Sequence, residues 1–210
     1  RAAGSLYVNQ ATGNDANSCL TAGSPCATIQ AAISKASAGD TINVAAGTYP
    51  EQLTITKSLQ LVGAGVASSI IQAPATLPDS SLPTSAIIIV SGSGVSAEIT
   101  GFTVTGPGPT ACGSIRAGIY VYGNANANIH DNRIQDVRDS VFSGCQNGVA
   151  IVVGRNAWAT SGSATIANNV IIGYQKGGIV IDNIGSNATI TNNTVTGAGT
   201  TTVTAQNGIQ

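Results

Sequence analysis

Charge is scarce in this sequence. Only 8% of its 210 residues are Asp, Glu, Lys or Arg, against about 25% in an average soluble protein. The formal net charge is −1, which removes the electrostatic case for nucleic acid or an anionic membrane as partner. Aromatic residues make up 4%, methionine is absent, and His130 is the one histidine. No apolar run approaches the roughly 20 residues needed to span a bilayer. No Cys-x-x-Cys pair or Cys/His cluster suggests a metal, and nothing implies a cofactor. Gly, Ala, Ser, Thr and Asn fill the sequence, with Ile and Val as the bulky apolar residues. This mix is poor in helix formers and suits many short strands joined by tight turns.

The four cysteines, Cys19, Cys26, Cys112 and Cys145, are even in number. Disulfides are the first reading, and they imply an oxidising compartment. A cytosolic chain with four buried thiols is the alternative. The chain opens Arg1-Ala2-Ala3-Gly4-Ser5 without a hydrophobic targeting segment. That start reads as the mature form of a secreted or cell-surface protein whose signal peptide has been removed.

Repeats organise the rest. Gly118-Ile119-Tyr120-Val121 recurs as Gly148-Val149-Ala150-Ile151 and Gly178-Ile179-Val180-Ile181, then begins again at Gly208-Ile209-Gln210, each 30 residues after the last. A second motif interleaves: Ile129-His130-Asp131-Asn132-Arg133-Ile134, Ile166-Ala167-Asn168-Asn169-Val170-Ile171 and Ile190-Thr191-Asn192-Asn193-Thr194-Val195, preceded by the Asn-free Ile99-Thr100-Gly101-Phe102-Thr103-Val104. Each repeat offers three short strands with period-two alternation, hence one inward face. The second Asn of each pair is expected to take left-handed backbone geometry at a sharp corner, and stacked Asn side chains to hydrogen-bond as a ladder. One rung cannot bury its apolar face alone, so rungs must stack. The fold predicted is all-β, a right-handed parallel β-helix of three-strand rungs. A propeller or sandwich competes, but both need antiparallel hairpins at most connections.

Residues 1–40 read as a lead-in strand (Leu6-Tyr7-Val8), a small loop closed by Cys19 and Cys26, and a short capping helix. The helix is predicted over Ala27 to Ala38, with Ile29 and Ile33 at helical spacing and Gly39 as stop signal. It would cover the open end of the coil. Residues 41–210 read as one continuous β-helix, interrupted by an excursion at 73–84 that carries Pro74, Pro78 and Pro83. Ala86 to Val90 resumes the coil, with Ile88 one period before Gly118. Cys112 and Cys145 both precede a Gly-Ile strand on adjacent rungs, so Cys112–Cys145 and Cys19–Cys26 is the predicted pairing. The last motif breaks off inside a strand, which reads as a piece of a longer protein or as an end that another subunit covers.

The stretches Ala27-Thr28-Ile29-Gln30-Ala31-Ala32-Ile33, Gly39-Asp40-Thr41-Ile42-Asn43-Val44 and Gly47-Thr48-Tyr49 resemble the opening module of pectin methylesterases and other secreted β-helix proteins. The chain thus resembles the pectin-lyase-like superfamily over most of its length. The resemblance implies that a substrate, where one exists, is a long acidic polysaccharide lying along the sheet of Gly-Ile strands. The superfamily's catalytic motifs do not carry over: we find no Asp cluster at rung spacing, no Asn-Thr-Asp or Gly-His-Gly, and no set of two Asp, Arg and Gln on adjacent rungs.

In the Gly-Ile strands the second and fourth motif residues are expected inward. Tyr120, Tyr122, Ala150, Val152, Val180, Asp182 and Gln210 then face out, and among them only Asp182 carries charge. Tyr120 and Tyr122 offer stacking surfaces for a sugar ring, with Asp182 and Arg155 to fix hydroxyls. The plainer reading is that the tyrosines cover the sheet. His130 is expected to face solvent, with Asp131 on the opposite strand face and no orienting partner. Arg133, Asp136, Arg138 and Asp139 are expected to pair on a surface turn. Asn187-Ala188-Thr189 and Asn192-Asn193-Thr194 match the glycosylation sequon, a short pattern that means little in an Asn/Thr-rich chain.

Apolar outward residues and the open last rung point to lateral or end-to-end self-association. The function read first is an extracellular structural or adhesive β-helix, forming a rod or fibre. The alternatives are a lyase, esterase or hydrolase on uronic-acid polymers, and a glycan-binding module.

Overall fold

The computed structural model describes residues 3–77, 85–108, 112 and 114–210. Its strands form three sheets in which all pairing is parallel. Sheet one stacks Ser5–Val8, Thr41–Val44, Leu59–Gly63, Ser96–Thr100, Asn126–His130, Ser163–Ala167 and Asn187–Thr191. Sheet two stacks Leu53–Ile55, Ala86–Ser91, Ala117–Tyr122, Val149–Val153, Gly177–Ile181 and Asn207–Ile209. Sheet three stacks Gly47–Pro50, Ser69–Gln72, Thr103–Thr105, Arg133–Gln135, Val170–Ile172 and Thr194–Thr196. The chain visits the three sheets in turn and pairs each strand with its equivalent one rung later. This is a right-handed parallel β-helix with three-strand rungs. Ser5–Val8 is part of the coil itself, pairing along Thr41–Val44.

Alternation places Leu61, Ile99, Ile129 and Ile166 at one register position of sheet one, all fully buried. Each such side chain contributes about 1.5–3 kcal/mol by leaving water. The outward residues between them, Gln60, Glu98, Asn128 and Thr165, are polar.

The Asn ladder forms at the corner between sheets one and three. Asn132 Nδ2 donates to Asn169 Oδ1 (3.2 Å), and Asn169 Nδ2 donates to Asn193 Oδ1 (2.9 Å). The same amides reach the Ile99, Ile129 and Ile166 carbonyls. The left-handed residue, however, is the first of each pair: Asp131, Asn168 and Asn192 have φ of 53°, 57° and 54°. Gly101, φ 79°, takes that place in the Asn-free version. The division of labour is physical. The first residue turns the corner, which frees the second to point inward and bond along the axis.

Register in sheet two departs from the 30-residue step. Ile119 pairs with Ile151, and Ile151 with Ile179, so Ala150 rather than Gly148 stands opposite Gly118. Ala150 therefore packs in the core and does not face out; Val149 and Val152 are the outward residues. Small residues hold this position because a Cβ at Gly118 would lie 2.6 Å from the Ala150 carbonyl oxygen. Likewise Ile88 stands opposite Ile119, one residue off the expected place.

The helix runs over Ile29–Lys35, shorter than predicted, and buries Ile29, Ala32 and Ile33 against the coil. Thr28 caps its start by accepting from the Ala31 N–H, and the Glu51 carboxylate accepts from the Ile29 and Gln30 N–H groups. These bonds satisfy donors that a helix leaves open in its first turn. No helix of the described residues is long and apolar enough to cross a membrane. Both expected disulfides are present: Cys19–Cys26 and Cys112–Cys145. Pro78 and Pro83 of the excursion lie outside the described residues.

Candidate functional site

Sheet two carries a second apolar cluster on its outer side. Ala86, Ile89, Ala117, Tyr120, Val149, Val152 and Val180 face away from the core, yet all are buried. The open apolar surface expected from Val152 and Val180 is therefore covered by the turns that rise on either side of the strands. Between those turns lies a cavity of about 330 Å³, in the range of small-ligand sites.

Its floor is Ala117, Tyr120, Val149, Val152 and Val180. One wall comes from residues that precede the strands: Arg116, Gln146, Asn147 and Lys176. The other comes from residues that follow them: Arg155, Trp158 and Asp182. Arg116 and Lys176 stand immediately before Ala117 and Gly177, which both pair with Val149 and so lie two rungs apart in one register. Trp158 closes the short 3₁₀ turn Asn156–Trp158, which follows Val149–Val153.

Three of the four charged side chains lining the cavity are cationic: Arg116, Arg155 and Lys176 against Asp182. Arg155 Nε lies 3.7 Å from Asp182 Oδ2. Arg116 donates to Asn147 Oδ1 at 2.9 Å, while its Nε is buried with no partner. Burial, and then the neighbouring Arg155 charge, push the Arg116 guanidinium below its usual range. The Trp158 ring receives both arginines, at 5.7 Å from Arg116 and 5.6 Å from Arg155.

Tyr120 is 1% exposed, and its hydroxyl meets no hydrogen-bond partner. Burial raises its ionisation far above the ordinary tyrosine value, and Tyr122 and Asp182 add to the shift while Arg155 opposes it. The group therefore stays an O–H donor at any physiological pH. Leaving such a group unpaired inside a protein costs about 1–3 kcal/mol.

Of the residues singled out from sequence, the structure brings Tyr120, Arg155 and Asp182 together at this cavity. Tyr122 stacks on Tyr120, ring centroids 4.8 Å apart, and does not line it. The available aromatic surface is Trp158 instead. Sequence reasoning passed over Trp158, Arg116 and Lys176. The usable signals were the chain's single tryptophan and two cations directly before strands in a chain with eight Lys and Arg residues in all.

Two expectations are corrected elsewhere. His130 is not alone: Asp131 Oδ2 lies 2.7 Å from its Nδ1 and Glu98 Oε1 3.1 Å from its Nε2. The left-handed turn at Asp131 swings that carboxylate back to the ring, which strict strand alternation does not foresee. Asp139 is buried rather than on the surface. It accepts from the Ser143 hydroxyl and the Gln175 amide, leaving Arg138 to Asp136 at 3.3 Å. Cys112, Asp139 and Cys145 converge as a metal site would, but the two sulfurs are bonded to each other.

Residues 11–162 match the family described as "Protein of unknown function (DUF1565)". The chain belongs to that family. No curated protein matches this DUF1565 member. Among solved structures it is similar to the GH136 lacto-N-biosidase from Eubacterium ramulus, with TM-score 0.57 and 13% identity over 85% of this chain and 36% of that one. A rhamnogalacturonan lyase aligns over 99% of this chain and 62% of its own, at TM-score 0.44 and 16% identity. The DUF1565 chain thus spans about a third of the biosidase's length. At this identity the likeness to the biosidase shows the parallel β-helix fold alone.

Proposed function

We propose that this protein is an extracellular β-helix that binds an acidic glycan in the cavity over sheet two. The observation that carries the reading is the Tyr120 hydroxyl, a buried donor with no protein partner, set among two arginines and a tryptophan. Buried polar groups in native proteins are nearly always bonded. A ligand oxygen supplies the missing acceptor. The cationic excess favours a carboxylate-bearing sugar, and Trp158 offers a face for its ring. The lacto-N-biosidase of like fold agrees with a saccharide ligand. Two disulfides fit an oxidising, extracellular setting.

Binding is favoured over hydrolysis because two-carboxylate glycoside cleavage needs a pair of acids across the bond. Among the described residues Asp182 is the one carboxylate lining the cavity. Calorimetric titration with uronate and neutral oligosaccharides tests the reading. Saturable binding of the uronates, weakened at least fivefold in Arg155→Ala, is expected. Turnover of any of these sugars would favour an enzyme, and binding by none would overturn the proposal.

A further inference from the structure

We infer that the cavity takes an acidic sugar and a neutral sugar side by side, and that Asp182 is the specificity-determining residue that refuses a second carboxylate. The inference rests on the glycan-binding reading above and goes further, to the order of sugars along the chain.

The cavity's charges and spare hydrogen bonds are sorted by rung. Its walls stand before and after the strands of sheet two, so the trough between them crosses the strands and follows the coil axis. Arg116 stands just before Ala117–Tyr122, and Tyr120 lies within that strand. The Arg116 Nε and the Tyr120 hydroxyl are the two lining atoms that are buried without a partner, and both belong to this one rung. The Arg116 guanidinium is held by a neutral group, the Asn147 amide oxygen. From the next rung Arg155 brings a second guanidinium to the same Trp158 ring. A carboxylate entering here meets two cations and an unspent hydroxyl.

One rung further on the character changes. Lys176 precedes Gly177–Ile181 and Asp182 follows it, so this rung carries one charge of each sign where the two before it carry one cation apiece. Lys176 already donates to the Ala205 carbonyl at 2.8 Å. The Asp182 carboxylate is 32% exposed, and its pairing with Arg155 at 3.7 Å is longer than a hydrogen bond. A carboxylate has several lone pairs and only accepts, so it suits sugar hydroxyls. A glycan lengthens per sugar by a step close to the rung spacing of about 4.8 Å. The sugar beside the one held by the arginines therefore lies at Asp182. A neutral sugar gains hydrogen bonds there. A second uronate brings its carboxylate against Asp182, and such a like-charge meeting costs binding energy.

The test is calorimetric titration of the whole protein with three tetrasaccharides: alternating uronate and neutral sugar, all uronate, and all neutral. A site that merely counted charge would favour the all-uronate chain. The inference predicts that the alternating chain binds about fivefold tighter than the all-uronate one, with the neutral chain weakest. Asp182→Asn keeps the shape and removes the charge, and should bring the two acidic chains within about twofold of each other. The wild-type ranking decides even if the variant does not fold. Equal or tighter binding of the all-uronate chain by wild type, or an unchanged ratio in the folded variant, would overturn the inference while leaving acidic-glycan binding intact. No binding by any chain, or tightest binding of the neutral one, would sink the acidic-glycan reading itself, and the inference with it.

Discussion

Sheets one and two follow the same alternation and present opposite outer faces. On sheet one the outward residues are Gln60, Glu98, Asn128 and Thr165, with Asn128 and Thr165 exposed. On sheet two they are Ile89, Tyr120, Val152 and Val180, all buried. The strands are alike; the turns differ. The corners from sheet one to sheet three are short, whereas longer turns, 136–148 and 154–162 among them, stand on either side of sheet two. An apolar outward column in a β-helix therefore marks a roofed face, and the space left beneath the roof becomes the cavity.

Exchanging the two chemistries gives the largest expected effect. Ile89→Asn places an amide without a partner under the roof and removes a buried side chain, costing about 4 kcal/mol. The reverse exchange, Asn128→Ile on the open face, should stay within ~0.5 kcal/mol of wild type. Urea unfolding of both variants checks the contrast, and equal losses would break it. Next comes the corner that sheet one shares with sheet three. Asn169→Ala takes the acceptor from the Asn132 backbone N–H and Nδ2 and one donor from the Ile129 carbonyl, and should cost about 3 kcal/mol by the same measurement.

Tyr120→Phe separates stability from binding. Removing a buried hydroxyl that bonds to nothing in the protein should raise stability by about 1–3 kcal/mol, the cost of leaving it unpaired. Uronate affinity should fall about fivefold, as for one net hydrogen bond of ~1 kcal/mol. A marked loss of stability would show that the hydroxyl has a protein partner.

The smallest effect lies on the open face. Burial works against a charged His130, but hydrogen bonding to Asp131 and Glu98 outweighs it and raises its pKa above the ordinary value. Gln60 holds the far oxygen of Glu98 at 3.1 Å. A raised folded-state pKa means the charged ring stabilises the fold below its ordinary titration range. That contribution is lost as pH rises through the elevated value. The stability gap between wild type and His130→Gln should therefore shrink as pH rises from mildly acid to mildly alkaline. A gap that widens contradicts the arrangement.

The coil was legible because its signals are periodic. The recurring Ile-x-x-Asn corner and the Gly-Ile strands report a stacked rung directly, and the cysteines fell at matching turns. The errors were local. Gly148 imitates Gly118 two residues early, because the preceding turn is longer on that rung than on its neighbours. The left-handed geometry was assigned to the wrong Asn, since either can adopt it and only the ladder decides. Half of the cavity was visible, as Tyr120 and Asp182 obey strand alternation. Trp158, Arg116 and Lys176 sit on turns, whose course no period encodes; only folding brings the two walls over one floor.

Trp158 is the chain's single tryptophan and stands in the cavity wall, so selectively excited tryptophan fluorescence reports on this place alone. Titrating wild type and Arg155→Ala with a uronate oligosaccharide tests the central claim most directly. A saturable change in emission, shifted to higher concentration in the variant, is the result expected. Binding detected by calorimetry with no change in Trp158 emission would place the ligand elsewhere and contradict the account.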